Sequence, residues 1–358
     1  MEFHQIIVSA SPGDAVTNQA LELRALLRRI GPSEIYARYL HPALEADVLP
    51  LASFPQLPPA RNGRVLIYHA SIGQAEVAYF LMERREPLIL MYHNISPPAF
   101  FLPYDSGFAR LLTEGRAELS LLRDRVILPL AVSRYNAMEL EALGYRGVQV
   151  SPPIVDIEAL RTAEPHGPTA RHLAEEVPWP LVLFVGQLLP HKRPDLLLQA
   201  YYVLVTYLIP EVRLAIVGSP RLPAYERALR SFLQETNLAN AWLCGGVSQP
   251  ELIAFFQRAD VFVTASEHEG FCIPLVEAMA FERPIIARDF AAIPDTMDGA
   301  GLLLPEESGP IMLAEAMAEV IEDSALAATL AKRSAARVER FDGEAARQTF
   351  LEHLATVI

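Results

Sequence analysis

The 358-residue chain contains only two cysteines, Cys244 and Cys272. Two are too few for a disulfide framework or a four-thiolate zinc site. Lysine is equally scarce, with Lys192 and Lys332 alone among 30 basic residues. There is no basic block, and the net charge is −13, so no nucleic acid is expected as a main partner. The acidic excess lies in the second half. Residues 1–175 hold 19 of the 43 acids but 16 of the 30 basic residues. No apolar run reaches the roughly 18 residues of a membrane span. The nearest, 196–209, contains Gln199 and Thr206 and is bounded by Asp195 and Pro210, so it reads as a buried helix. Met1-Glu2-Phe3-His4-Gln5 lacks the basic region of a signal peptide, and a cytoplasmic protein is expected. A G-x-G-x-x-G is also missing, which weakens a dehydrogenase reading, and no Asp-x-Asp stands where it would hold a metal.

What is present is an apolar content of 51% with 20% charged residues, the balance of a globular protein, in a chain long enough for two domains. Short apolar runs recur, each followed by a loop and, in most cases, a helical pattern. In the first half they are Ile6–Ser9, Val65–Tyr68, Leu88–Tyr92 and Ala131-Val132. In the second they are Leu181–Val185, Leu214–Gly218, Val261–Thr264 and Pro284–Ala287. The runs do not alternate with polar residues, as expected of parallel strands covered on both faces. Strands alternating with helices predict doubly wound α/β layers. A Pro-rich connection, Ala163–Thr169 with Pro178-Trp179-Pro180, puts the domain boundary near 160–178. The expected division is 1–165 and 175–340, with a C-terminal helix over 341–358 that could return to the first domain. Ligands in such folds sit beyond the carboxyl ends of the strands, so the loops after the strands carry the chemistry.

The most informative loop runs from Ser266 through Glu269-Gly270-Phe271-Cys272-Ile273-Pro274 to Glu277-Ala278-Met279. It follows a strand and opens a helix, with Pro274 in the first turn. Free backbone N–H groups at a helix start suit an anion, and Gly270 permits close backbone approach. Glu269 and Glu277 are not an i, i+4 pair. They make better sense as acceptors for several hydroxyls, as on a ribose and a sugar ring. The bland alternative is that Glu277 only complements the helix terminus.

This stretch resembles the E-x7-E signature of family 4 retaining glycosyltransferases, which have the GT-B fold of two Rossmann-like domains facing a cleft. Gly186-Gln187-Leu188-Leu189-Pro190-His191-Lys192-Arg193 resembles the family's diphosphate loop, with Lys192 on the family's lysine position. Gln187 departs from the usual Arg, and Arg193 could restore the charge. Gly245-Gly246-Val247-Ser248 resembles the loop whose backbone meets the nucleobase, although a plain glycine turn would read the same. Ser11-Pro12-Gly13-Asp14 resembles the glycine loop near the donor phosphate. Tyr92-His93-Asn94-Ile95-Ser96-Pro97 resembles a loop that faces the sugar or acceptor, and His69, after the neighbouring strand, competes for that place but ranks lower because Ala70-Ser71-Ile72 reads as simple helix entry.

The resemblance implies transfer of a hexosyl unit, with retention, from a nucleotide sugar (GDP-mannose or a UDP-hexose) to a glycan, glycolipid or lipid-linked acceptor in cell-surface polysaccharide synthesis. It implies no cofactor and no catalytic metal, the nucleotide sugar being a co-substrate. Glu269 and His93 become the catalytic candidates. Gly13, Gln187, Lys192, Arg193 and Val247 become donor-binding candidates, together with Gly270, Phe271, Cys272, Ile273 and Glu277. Peripheral association with the inner face of the membrane is implied by the family only. Arg116 and Tyr104-Asp105 are candidates for the acceptor side. The competing readings are a non-catalytic nucleotide-sugar-binding relative, suggested by Gln187, and a phosphorylase or epimerase on the same fold.

Overall fold

The structure, a computed structural model, describes residues 1–55, 63–175 and 178–357. It divides into two compact units, residues 1–154 with 343–358, and residues 155–342.

The first unit opens with β1 (Glu2–Ala10), α1 (Ala15–Leu27), β2 (Ser33–Leu40), β3 (Leu49–Pro50), β4 (Arg64–Ala70) and α2 (Ala75–Glu83). It continues with β5 (Leu88–Tyr92), α3 (Ser106–Leu122), β6 (Val126–Ala131), α4 (Arg134–Ala142) and β7 (Gln149–Val150). These strands form one seven-stranded sheet in the order β3-β2-β1-β4-β5-β6-β7. Neighbouring pairs are parallel. Central β4 and β5 are buried along their whole length, which is why Val65–Tyr68 and Leu88–Tyr92 read as unbroken apolar runs. At the edge, β3 is exposed and ends in Pro50, where a missing N–H costs no ladder bond. Asp14 caps α1 by accepting from the Thr17 N–H at 2.9 Å, and Ser133 caps α4 through the Asn136 N–H at 3.2 Å.

The second unit begins with two short helices, α5 (Ile157–Thr162) and α6 (Gly167–Glu175). The Pro-rich stretch read as a connection therefore belongs to this unit, and the division falls at 154/155 instead of 160–178. Positions 176 and 177 of that stretch lie outside the described residues. Buried Arg213 ties the segment down: its guanidinium donates to the Leu173 carbonyl at 2.9 Å and to the Trp179 carbonyl at 3.0 Å. Then follow β8 (Leu181–Val185), α7 (Pro194–Val203), β9 (Arg213–Val217), α8 (Pro223–Glu235), β10 (Ala241–Gly245) and α9 (Gln249–Arg258). The unit ends with β11 (Val261–Thr264), α10 (Ile273–Ala280), β12 (Ile285–Arg288), α11 (Ile293–Met297), β13 (Leu302–Leu304), α12 (Pro310–Glu322) and α13 (Ser324–Val338). Its parallel sheet has six strands in the order β10-β9-β8-β11-β12-β13.

The last helix, α14 (Gly343–Ala355), belongs to the first unit. Arg347 reaches Glu22 at 3.3 Å, and His353 Nε2 lies 3.1 Å from the Val150 carbonyl. Both sheets are doubly wound and Rossmann-like, as the strand–helix alternation predicts. Among the described residues, no helix is long and apolar enough to cross a membrane.

Candidate functional site

In each sheet the chain reverses its direction of winding at one place. In the second unit that switch point lies between β8 and β11. Loops leaving the carboxyl ends of two such strands diverge and leave a crevice. The loop after β8 carries Gln187, Lys192 and Arg193, and the loop after β11 carries Glu267 and Glu269. The two loops meet. The Glu267 N–H donates to the His191 carbonyl at 2.8 Å. Lys192 Nζ donates to Glu269 Oε2 at 2.5 Å. Glu269 is buried, while Lys192 keeps about a fifth of its side chain exposed. Charge-assisted hydrogen bonds between an ammonium and a carboxylate are stronger than neutral ones.

The tight turn behind Lys192 has identifiable causes. Pro190–Lys192 forms one 3₁₀ turn, and Arg193 then takes a left-handed conformation (φ 52°) before Pro194 starts α7. Arg193 is held in that pose by carboxylates. Its guanidinium pairs with Glu267, and its Nε lies 3.2 Å from Asp195 Oδ1. Tyr225 donates to Asp195 at 2.6 Å, and Arg288 donates to Glu267 at 3.1 Å. Arg193 was expected to supply the charge that Gln187 lacks, but two carboxylates of the same unit already engage its guanidinium. Gln187 is half-buried, and no described residue hydrogen-bonds its side-chain amide. His191 and His268 are buried beneath the loops with ring centroids 6.5 Å apart. Burial, reinforced by the Lys192 charge, pushes the His191 pKa well below the ordinary imidazole value.

The loop after β11 is pinned from α11. The Ala292 N–H reaches the Glu269 carbonyl at 3.3 Å, and the Thr296 hydroxyl donates to the Phe271 carbonyl at 2.7 Å. Phe271 is buried edge-on against Phe341 at 5.7 Å, so its ring serves packing. Cys272 is left-handed (φ 71°) and turns the chain into α10. Its thiol is buried, and burial with the nearby Glu269 carboxylate pushes its pKa well up. Ile273 and Glu277 are half-buried on α10. Burial pushes the Glu277 carboxyl up to about 7, and no described residue pairs with it. Gly245 has φ 73°, Val247 is half-buried, and Ser248 with Glu251 forms a capping box at α9.

Gly13 and His93 stand in the first unit, at the carboxyl ends of β1 and β5. Gly13 has φ 72°, and a Cβ there would meet nothing within 4 Å. The backbone angle, not crowding, requires glycine. His93 Nε2 lies 2.8 Å from His69 Nδ1. Burial pushes the His93 pKa down to about 3, so the ring is neutral at physiological pH. Arg116 donates to the Ile95 carbonyl at 2.5 Å and to Glu139 at 3.1 Å, bracing the loop behind His93. Asp105 caps α3 by accepting from the Phe108 N–H at 2.9 Å. A cavity of about 610 Å³ lined by Arg123, Asp124, Val126 and Tyr145 lies at the amino end of β6, the wrong end of the sheet for the loops above.

Sequence reasoning paired Lys192 with Glu269 only through the resemblance. It missed Asp195, Glu267, Tyr225 and Arg288 altogether. Asp195 and Glu267 each lie within two residues of a residue already singled out, and that adjacency was the available signal.

Residues 171–337 match the family model described as "Glycosyl transferases group 1". A D-inositol 3-phosphate glycosyltransferase of Kineococcus radiotolerans is 26% identical over 254 residues, 66% of this chain and 58% of that protein. The chain spans about half the length of this and two other glycosyltransferase relatives, from 44% to 58%. A GDP-mannose-dependent alpha-mannosyltransferase of Mycobacterium tuberculosis is 26% identical over 90% of this chain and 88% of its own. Among solved structures, Anabaena HepE superposes with TM-score 0.79 at 19% identity over the whole of both chains. Sucrose-phosphate synthase of Thermosynechococcus elongatus gives 0.77 at 18% identity, covering 100% and 99%. The fold is that of the GT-B glycosyltransferases.

Proposed function

Residues 171–337 match the model of the group 1 glycosyl transferases, and from that match we propose that the chain is a retaining hexosyltransferase using a nucleoside-diphosphate sugar, with no catalytic metal. The observation that carries the reading is the contact of Lys192 with Glu269 at the switch point of the second sheet. In the bound state Lys192 turns its ammonium to the diphosphate as negative charge builds on the leaving group. A lysine keeps three donors on a flexible stem, so it can serve a phosphate oxygen and Glu269 together. The backbone N–H groups at the start of α10 face the same anion. Fixed donors aimed at a developing anion are often the largest catalytic term, about 2.7–4 kcal/mol each. Glu269 positions ring hydroxyls and faces the cationic ring. Glu277 holds the ribose, and the Gly245–Ser248 loop meets the base.

Support for a nucleotide-sugar donor comes from relatives. HepE has been solved with UDP-glucose, and the mycobacterial relative is named for GDP-mannose. Acceptor hydroxyls belong to a glycan, glycolipid or lipid-linked saccharide in this reading, at the inner face of the membrane. One observation favours a second reading, a non-catalytic nucleotide-sugar binder: the carboxylates on Arg193 leave the diphosphate loop with one fewer cation than expected.

A thermal-shift panel of UDP, GDP, ADP, TDP and CMP tests the donor site. A ligand at 100 times its dissociation constant adds about 2.7 kcal/mol, a shift of several degrees. One nucleoside diphosphate is expected to stand out, and its sugars are then assayed for transfer in EDTA with the product anomer identified by NMR. No shift with any nucleotide would sink the diphosphate site. Binding without turnover would favour the second reading.

A further inference from the structure

Across the middle of the first sheet, β1, β4 and β5 are neighbours, and each contributes one polar residue to a chain that nothing apolar requires. Gln5 lies on β1 and His69 on β4, both fully buried, and His93 follows β5. Ile7 pairs in register with His69, and His69 with Met91. Gln5 and His93 each lie two residues from a member of that row, so all three share the face against which α1 lays Ala20.

The hydrogen bonds fix the direction of every proton. Gln5 Nε2 donates to the Ala20 carbonyl at 2.9 Å. A backbone carbonyl only accepts, so the amide orientation is dictated by chemistry. Gln5 Oε1 then faces His69 Nε2 at 2.8 Å and can only accept, so His69 carries its proton on Nε2. A neutral His69 has only a lone pair left at Nδ1. That atom lies 2.8 Å from His93 Nε2, which must therefore be the N–H donor. Burial and the neighbouring His93 push the His69 pKa well below the ordinary value, which rules out the cationic ring that would reverse the chain. His93 is consequently left with its lone pair on Nδ1. The side chain is half-exposed, and no described residue bonds that atom.

We propose that Gln5 and His69 are positioning residues that lock His93 in the Nε2–H tautomer, so that its Nδ1 accepts a hydrogen bond from a substrate hydroxyl. Only the identification of the donor as a sugar or acceptor hydroxyl rests on the function proposed above. The relay itself does not. It also explains why β1 and β4 tolerate polar side chains at fully buried positions: each is satisfied by the next, and a half-satisfied network would cost more than an apolar core.

The test uses the full chain with ¹⁵N-labelled histidine and long-range ¹H–¹⁵N correlation. Loss of one spin system in His93→Gln and of another in His69→Gln assigns the two rings. Both must show a protonated Nε2 and an unprotonated Nδ1. An Nδ1–H on either assigned ring overturns the relay whether or not Gln5→Leu folds. In Gln5→Leu, His93 is expected to become a mixture of tautomers, and kcat to fall about tenfold while the nucleotide Kd stays unchanged. A folded Gln5→Leu with an unaltered His93 tautomer also overturns it. Gln5→Glu retains an acceptor for His69 and is expected to keep the wild-type tautomer. The NMR outcome is independent of turnover, so failure of the relay and failure of the transferase reading are told apart.

Discussion

Removing one member of the Lys192–Glu269 pair strands the other. Glu269 keeps 6% of its side chain exposed, and Arg193, the next cation along the chain, is committed to Glu267 and Asp195. Breaking a buried pair this way costs about 3–5 kcal/mol, and the part-exposed ammonium places this case at the low end. Lys192→Met should therefore destabilise the protein by about 3 kcal/mol or less in chemical denaturation. Adding Glu269→Gln should recover most of that loss, because the stranded charge is gone. Ligand affinity should behave differently. Lys192→Met should raise the Kd of a nucleoside diphosphate at least about tenfold, leave the nucleoside nearly unaffected, and gain nothing from Glu269→Gln. Equal weakening of nucleoside and diphosphate in titration calorimetry would remove Lys192 from the phosphate site.

At the scale of elements, the loops after β8, β9 and β10 are stitched into one edge by backbone bonds. The Gly186 N–H donates to the Val217 carbonyl at 2.9 Å, and the Gly218 N–H to the Gly245 carbonyl at 2.8 Å. A Cβ on Gly218 would lie 1.8 Å from the Gly186 carbonyl oxygen. Gly218→Ala must therefore push the Gln187 loop off β9, and nucleotide affinity should drop about tenfold in a binding titration. Gly13→Ala meets no atom and pays only for its left-handed backbone, about 1–2 kcal/mol. A Gly218→Ala protein with unchanged affinity would show that this edge does not set the loop. The same scale shows what the sequence discloses. Central strands are legible because both faces are covered and the runs are unbroken. Strands at or next to the edges are not: β2, Ser33–Leu40, beside the edge strand β3, mixes buried Tyr36 with exposed Arg38 and Tyr39, and edge strand β10 is only half-buried. Helix α3 hides behind a Pro-rich loop, its apolar stripe interrupted by Arg116 and the buried Glu118. The Lys192 and Glu269 loops were readable from local motif and spacing. The Glu267 carboxylate on Arg193 and the Gln5–His69 chain depend on residues up to 74 positions apart meeting in space, which no window along the sequence contains.

For the whole molecule, the family match and the candidate donor residues other than Gly13 fall within residues 155–342, while His93 and its relay belong to the other unit. Under the proposed function, donor binding is then a property of one compact body. Its energy should appear first as protection of backbone amides in that body. Local opening free energies rise wherever a ligand binds the closed form only, by the same 2.7 kcal/mol or so at 100 times Kd. Hydrogen exchange of the full chain with the tightest nucleoside diphosphate should slow the segments 186–193 and 266–277 by one to two orders of magnitude. Amides of β1, β4 and β5 around Gln5 and His69 are already buried and bonded within the first sheet, so the nucleotide alone should leave them unchanged. Protection confined to residues 1–154 would move the nucleotide to the wrong unit and overturn the donor assignment, whatever the transfer assay then showed.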